Sequence, residues 1–234
     1  MKNLATIFLL SLAAVLSSIT ASAEKRHYHL SMGEFSELKV VDGINVDYVC
    51  DPSLAGTVEF MADKDMASSI MFEAKKGRLS IMLSSRTEPY VGLPTVTVYS
   101  SYLSKVTNEG DSLVRVLSVA PGAKFACKQM GNGFIEASSV KATDITCEAV
   151  AGHGKVTISG SANNLTLNVT GAGSINALQI PAPEVSCRLA GTGTIECAPQ
   201  KLLTVSGLGG TLRYRGTPEI KKKLISKINL LPID

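Results

Sequence analysis

Cys127-Lys-Gln-Met-Gly131-Asn-Gly133-Phe-Ile135-Glu136 is followed by three segments that can be laid over it: Cys147-Glu-Ala-Val-Ala-Gly152-His-Gly154-Lys-Val156, Leu167-Asn-Val-Thr-Gly171-Ala-Gly173-Ser-Ile175-Asn176 and Cys187-Arg-Leu-Ala-Gly191-Thr-Gly193-Thr-Ile195-Glu196. The first glycines stand at 131, 152, 171 and 191, so the intervals are 21, 19 and 20 residues. A degenerate copy, Gly207-Leu-Gly209-Gly210, follows, and Asn108-Glu109-Gly110 reads as an earlier one, so the repeat spans about 106–212. A strand–Gly-x-Gly–strand unit of constant length is the signature of a β-solenoid, in which each unit is one coil paired with the coils above and below. The corner glycines Gly131, Gly133, Gly152, Gly154, Gly171, Gly173, Gly191 and Gly193 are the structural residues of this scheme. Flanking apolar residues (Val169, Leu189 and Val205 before the corners; Ile135, Val156, Ile175 and Ile195 after them) would stack into interior columns. The competing fold is an antiparallel sandwich with glycine turns.

Upstream, the alternation is that of ordinary half-buried strands. Leu38, Val40, Ile44, Val46, Tyr48 and Cys50 share one parity, Val58 opens a second β-rich run, and Asp51-Pro52-Ser53 with Gly56 makes a turn between them. Ile70, Phe72, Ala74 and Leu79, Ile81, Leu83 read as a hairpin closed by Lys75-Lys76-Gly77-Arg78. Val96 and Val98 mark a further strand, and only Asp63–Ser69 has a helical pattern. The expectation is an all-β chain, a parallel β-solenoid (β-helix) with additional strands and a hairpin in its N-terminal part.

The first 23 residues run from Lys2 through the apolar stretch Leu4–Leu16 to Ala21-Ser22-Ala23, the order of a secretory signal peptide. The apolar run is shorter than the roughly 20 residues of a spanning helix. Residues 24–234 are then expected as one exported domain in the periplasm, on the cell surface or secreted, and not an integral membrane protein. Without Lys2 the charge is 22 − 20 = +2, too balanced for a nucleic-acid partner. Lys221-Lys222-Lys223 reads as a solvated terminus that discourages edge pairing. Cys50, Cys127, Cys147, Cys187 and Cys197 form no CxxC and have no His at zinc spacing, so neither metal nor cofactor is expected.

Val41-Asp42-Gly43-Ile44-Asn45-Val46 contains a literal Gly-Ile-Asn ahead of the serial Gly-x-Gly units, and Tyr214-Arg215-Gly216-Thr217-Pro218 has a Tyr-x-Gly-x-Pro form. From about Phe35 to Pro218 the chain resembles the GIN-domain family of autotransporter-adhesin heads. The resemblance implies a right-handed β-solenoid related in shape to pectin-lyase-like proteins, and attachment to surfaces. It implies no catalytic residue. The corners here read Asn, His, Ala and Thr between the glycines, where the family pattern resembles Ser-Gly-Ser-Gly, which leaves a serine-built binding surface unsupported.

Each candidate for chemistry has a plainer structural explanation. Glu136 and Glu196 share a slot with Thr157 and Asn176 between them. Three coil steps place them about 14 Å apart, beyond the roughly 5–10 Å of a glycosidase pair. Asp111, Asp144 and Glu148 share no slot on adjacent coils, have no basic partner set by the spacing, and read as a hydrated face. His153 stands alone at a corner, and His27-Tyr28-His29 could hold a metal weakly or simply form a frayed terminus. Gly-x-Gly followed by β-prone residues lacks the helix of a phosphate loop, and no corner carries the Asp of calcium-binding repeats. Cys127, Cys147 and Cys187 share an interior slot with Leu167; adjacent coils bring Cys127 and Cys147 within disulfide reach, but their side chains would point in parallel, so thiols are expected over a disulfide. Asn164-Leu-Thr166 and Asn168-Val-Thr170 match the N-glycosylation pattern but overlap a strand, and Asp111-Ser112-Leu113 resembles a short O-glycosylation acceptor. The functional expectation is a non-enzymatic exported adhesin or interaction module whose partner is a host or matrix glycan or protein, or another envelope protein. The alternatives are a pectin-lyase-like carbohydrate-active enzyme and a periplasmic structural or sensory partner.

Overall fold

The computed structural model describes residues 24–85, 90–224 and 226–234; the expected signal peptide, 1–23, lies outside them. The repeat region folds into β8 (Lys105–Asn108), β9 (Leu113–Val116), β10 (Gly122–Met130), β11 (Phe134–Val150), β12 (Lys155–Ser161), β13 (Asn164–Gly171), β14 (Ser174–Gly191), β15 (Thr194–Leu208) and β16 (Thr211–Arg215). Every pairing among them is parallel and joins strands one coil apart. The long strands belong to two ladders at once. In β11, Phe134–Ala137 pairs with β9 and β12, whereas Ala142–Val150 pairs with β10 and β13, with a bend at Ser139 (φ 58°) between. The result is a β-solenoid of stacked parallel coils with two main faces.

Register makes the interior columns explicit. On the first face Val106, Cys127, Cys147, Leu167, Cys187 and Val205 lie directly over one another. On the second, Val114, Ile135, Val156, Ile175, Ile195 and Leu212 do the same. All of them are buried in one continuous apolar cluster.

The solenoid begins earlier than the repeat. β2 (Glu37–Val40) pairs in parallel with β8, and β3 (Val46–Cys50) with β9, so residues 37–50 are themselves a coil. On its other side this coil pairs with β6 (Arg78–Leu83) and β7 (Val96–Ser100). Leu38 thus sits between Leu79 and Val106, and such long separations leave no sequence period to detect. Between these rungs the chain builds an end piece. β4 (Thr57–Ala62) runs antiparallel to β7 and to β1 (Arg26–Ser31), while β5 (Ile70–Lys75) runs antiparallel to β6. The β5–β6 hairpin turns through Lys76 and Gly77, both at positive φ (51° and 73°), as a two-residue turn of matching twist requires. The short helix α1 (Lys64–Ser69) starts where the Asp63 carboxylate accepts the Met66 N–H.

At the other end, β17 (Glu219–Leu224) and β18 (Asn229–Ile233) add a last rung to each face. Lys222 falls in the cysteine–leucine column, over Val205, and is exposed. A charge at an interior position closes the column against further pairing.

All five cysteines are free thiols. Cys127 Sγ lies 3.1 Å from Cys147 Sγ, and Cys187 Sγ lies 4.0 Å from Cys197 Sγ, which reaches it from the opposite face. The contact with Cys127 and then burial push the Cys147 thiol up; burial and then Cys197 do the same to Cys187. Below about pH 8.5, folded and unfolded chains both keep these protons. Above it the unfolded chain releases protons that the folded chain retains, so stability falls as pH rises, by up to about 1.4 kcal/mol per pH unit for each thiol. Urea midpoints under reducing conditions should therefore decline from pH 8.5 to 10, and Cys147→Ala should flatten the decline.

Candidate functional site

The Gly-x-Gly corners are stacked on one another, and their two glycines answer different demands. Gly152 has φ +85°, and a Cβ there would lie 2.6 Å from the carbonyl oxygen of Gly131. Gly154 has no such dihedral, but its Cβ would lie 2.6 Å from both that oxygen and Gln129 Cγ. The reason is hydrogen bonding: Gly154 N–H donates to Gly131 O at 2.9 Å, and Lys155 N–H to Gly133 O at 3.0 Å. Gly171 and Gly191 repeat the positive φ of Gly131 and Gly152, while Gly173 and Gly193 repeat the close approach of Gly133 and Gly154. Side chains between the glycines form their own row: Asp111 Oδ1 accepts the Asn132 N–H at 3.2 Å, and Asn132 Oδ1 accepts the His153 N–H at 3.1 Å. His153 is an exposed corner residue at the top of that row.

The acidic candidates do not converge. Glu136, Thr157, Asn176 and Glu196 occupy one outward column in that order. Basic partners absent from the sequence reading are present in the structure. Glu196 accepts from Arg213 at 3.3 Å, Glu148 pairs with Lys128 at 3.5 Å, and Glu136 lies in register with Arg115. Arg115 is clamped by Asp47 through two bonds of 2.6 Å. Spacing within the repeat could not show Asp47–Arg115, because Asp47 belongs to the unrecognised first coil. Asp144 instead accepts from Asn164 Nδ2 at 2.8 Å. Asn168 lies within β13, and the Ser112 hydroxyl is buried and bonded to Asn108 Oδ1 at 3.2 Å, so Asp111-Ser112-Leu113 offers no free acceptor in the folded chain.

Sequence reasoning missed two buried amides. Asn108 and Gln129 occupy adjacent rungs of an interior column that is Ala149, Val169 and Leu189 further on. Asn108 Nδ2 donates to Ser112 O at 2.8 Å and its Oδ1 accepts from Gly110 N–H at 3.2 Å. Gln129 Nε2 donates to Gly110 O (3.2 Å) and Met130 O (3.0 Å). These amides bind the backbone of the first, irregular corner, where the degenerate Asn108-Glu109-Gly110 was the available signal.

Among the recesses of the described surface, one, of about 350 Å³, is a depression of mixed character on the first face, lined by Lys124, Phe125, Asp144, Ile145, Asn164 and Thr166. Another, of about 430 Å³, lies on the end piece between Tyr28, Leu30, Phe60, Ile70 and Phe72, with Arg26 and Lys64 among its lining residues. Tyr28 stacks on Phe60 (5.1 Å between ring centres) and Phe60 tilts against Phe72 (5.8 Å). His27 and His29 are held in strand β1, paired along its length with β4, so the frayed terminus, one of the two sequence readings of this segment, is not what the fold forms.

Long faces patterned by register define a β-solenoid, and among the described residues no group of three or more metal-ligating side chains converges. The chain belongs to the family described as "putative auto-transporter adhesin, head GIN domain", whose model matches residues 34–218. Solved structures share the fold. A protein of Bacteroides fragilis described as a putative adhesin superposes with a TM-score of 0.79 at 19% identity, over 90% of this chain and 98% of the other. Two proteins of Parabacteroides distasonis are similar, each over 91% of this chain and 98% of the other. One, described as a putative adhesin, has a TM-score of 0.70 and 21% identity. The second, described as a putative lipid binding protein, has a TM-score of 0.71 and 16% identity. No curated protein matches the chain. Among the described residues no helix is long and apolar enough to cross a membrane.

Gly152→Ala combines an unfavourable φ with a backbone clash and should cost about 1–3 kcal/mol or more. Lys155→Ala, immediately after the corner pair with an exposed side chain, should change stability by less than about 0.5 kcal/mol. Urea denaturation of both variants checks the difference.

Proposed function

We propose that this protein is a non-enzymatic, exported adhesion module of the bacterial envelope that engages a polymeric ligand along the outer surface of its first face. The observation that carries this is the register of that face. Thr146, Thr166, Ser186 and Thr204 form one outward column and Lys128, Glu148, Asn168 and Arg188 its neighbour, presenting hydroxyl, amide and charged groups one coil apart. A coil step of about 4.8 Å lets a repeating chain such as a glycan meet equivalent groups at successive positions. The family description supports adhesion, and the signal-peptide pattern of residues 1–23 supports export. A non-enzymatic role is supported by the ion pairs that occupy Glu148 and Glu196 and by the separation of Glu136 from Glu196.

The test is binding of residues 24–234 to immobilised glycans, matrix proteins and polysaccharides, together with protease accessibility on intact cells. Thr166→Lys with Arg188→Glu should weaken binding about tenfold, or ~1.4 kcal/mol. Thr157→Lys, on the second face, should leave it unchanged. Absence of binding across the panel with purely periplasmic fractionation, or release of products from a polysaccharide, would overturn the proposal.

A further inference from the structure

We propose that His27 and His29 form an open surface site for a divalent transition-metal ion, with Glu59 as the carboxylate that orients His29. The strand β1 runs antiparallel to β4 in unbroken register from Arg26↔Ala62 to Ser31↔Thr57. Its side chains therefore alternate. Tyr28 and Leu30 turn inward and pack on the apolar cluster, Tyr28 being stacked on Phe60. His27 and His29 share the opposite, solvent-facing side, where both are exposed. Two residues of strand separate their Cα atoms by about 6.5–7 Å. Imidazoles rooted at that spacing on one face can tilt toward a common ion at about 2.0–2.1 Å from each nitrogen.

Glu59, opposite His29 on β4, supplies the second observation. Its Oε1 lies 3.0 Å from His29 Nδ1. With the proton on Nδ1 donated to that carboxylate, Nε2 is left as a lone-pair ligand. This is the carboxylate–histidine arrangement that fixes tautomer and ring orientation at protein metal sites. The other oxygen, Oε2, accepts from the Tyr99 hydroxyl at 3.2 Å, so the carboxylate is positioned from both sides. Contacts with His29 and Tyr99 thus fix the carboxylate beside the histidine pair.

The donor set determines the metal. Imidazole nitrogen suits copper, nickel and zinc, whereas calcium and magnesium require several oxygen ligands. With two protein ligands, the remaining positions are open to water or to a donor from another molecule. The site is thus exchangeable, unlike a structural zinc cage.

Tag-free protein titrated with Cu²⁺, read by calorimetry and electron paramagnetic resonance, should bind one equivalent with hyperfine coupling to two nitrogens. His27→Ala and His29→Ala should each weaken binding at least about tenfold, and Glu59→Gln about tenfold. His153→Ala, at a distant corner, should leave it unchanged, and circular dichroism of each variant should match the parent. Stoichiometric binding that survives His27→Ala, a sulfur-ligated spectrum, or no saturable binding would overturn the proposal.

Discussion

The in-register parallel hydrogen bonding between coils is the constraint on which the remainder of the structure depends. Each residue sits over its equivalent in the neighbouring coil, so a column shares one environment from end to end. Interior columns are then apolar wherever no backbone group is there to pair a buried amide such as Asn108 or Gln129, and Val106, Cys127, Cys147, Leu167, Cys187 and Val205 form such a column with three residue types of different size. Cysteine serves here as a small hydrophobe between branched neighbours. The same constraint brings the corner backbones so close that one carbonyl, Gly131 O, excludes a side chain at both Gly152 and Gly154. In the outward columns it would set like charges one rung apart, and the sequence avoids this: Lys128 faces Glu148, Glu196 faces Arg213, and Asp47 faces Arg115.

A parallel stack cannot close on itself, and its ends are managed in two different ways. At the N-terminal end the chain abandons the coil after β3, passes beneath it, and terminates both faces with antiparallel strands. The excursion uses local chemistry that a solenoid rung lacks: a capped helix turn at Asp63 and a hairpin through Lys76-Gly77. At the C-terminal end no such excursion exists among the described residues. There the final rung carries Lys221, Lys222 and Lys223, and charge replaces structure as the barrier to further pairing.

This division also explains what was legible in the sequence. From about residue 106 onward, spatial neighbours lie about twenty residues apart, and coil, columns and corners follow from alignment of the segments. The slot shared by Cys127, Cys147 and Leu167, and the wide separation of Glu136 from Glu196, are examples. The coil at 37–50 was legible only as strands, because its partners come from 78–83 and 105–108 and no period links them. Local signals survived in the end piece that follows it: the hairpin at Lys76-Gly77 and the helix after Asp63 depend on adjacent residues alone. Contacts across the coil, such as Cys187 with Cys197, and contacts between the first coil and the repeat, such as Asp47 with Arg115, depend on the closure of the fold. They were therefore out of reach.

The same physics separates the residues that maintain the fold from those free to recognise something else. Interior columns and corner glycines are dictated by stacking, so they carry no information about a ligand. Outward columns are constrained only to avoid repulsion between rungs, and Thr146, Thr166, Ser186 and Thr204 satisfy that without forming any ion pair. Whatever distinguishes this solenoid from others of the same shape must lie in those outward columns and in the end piece, where β1 has an apolar recess on one side and a histidine pair on the other. A fold whose faces can vary independently of its core is suited to recognition, because changes of ligand need not disturb the register that holds the coils together.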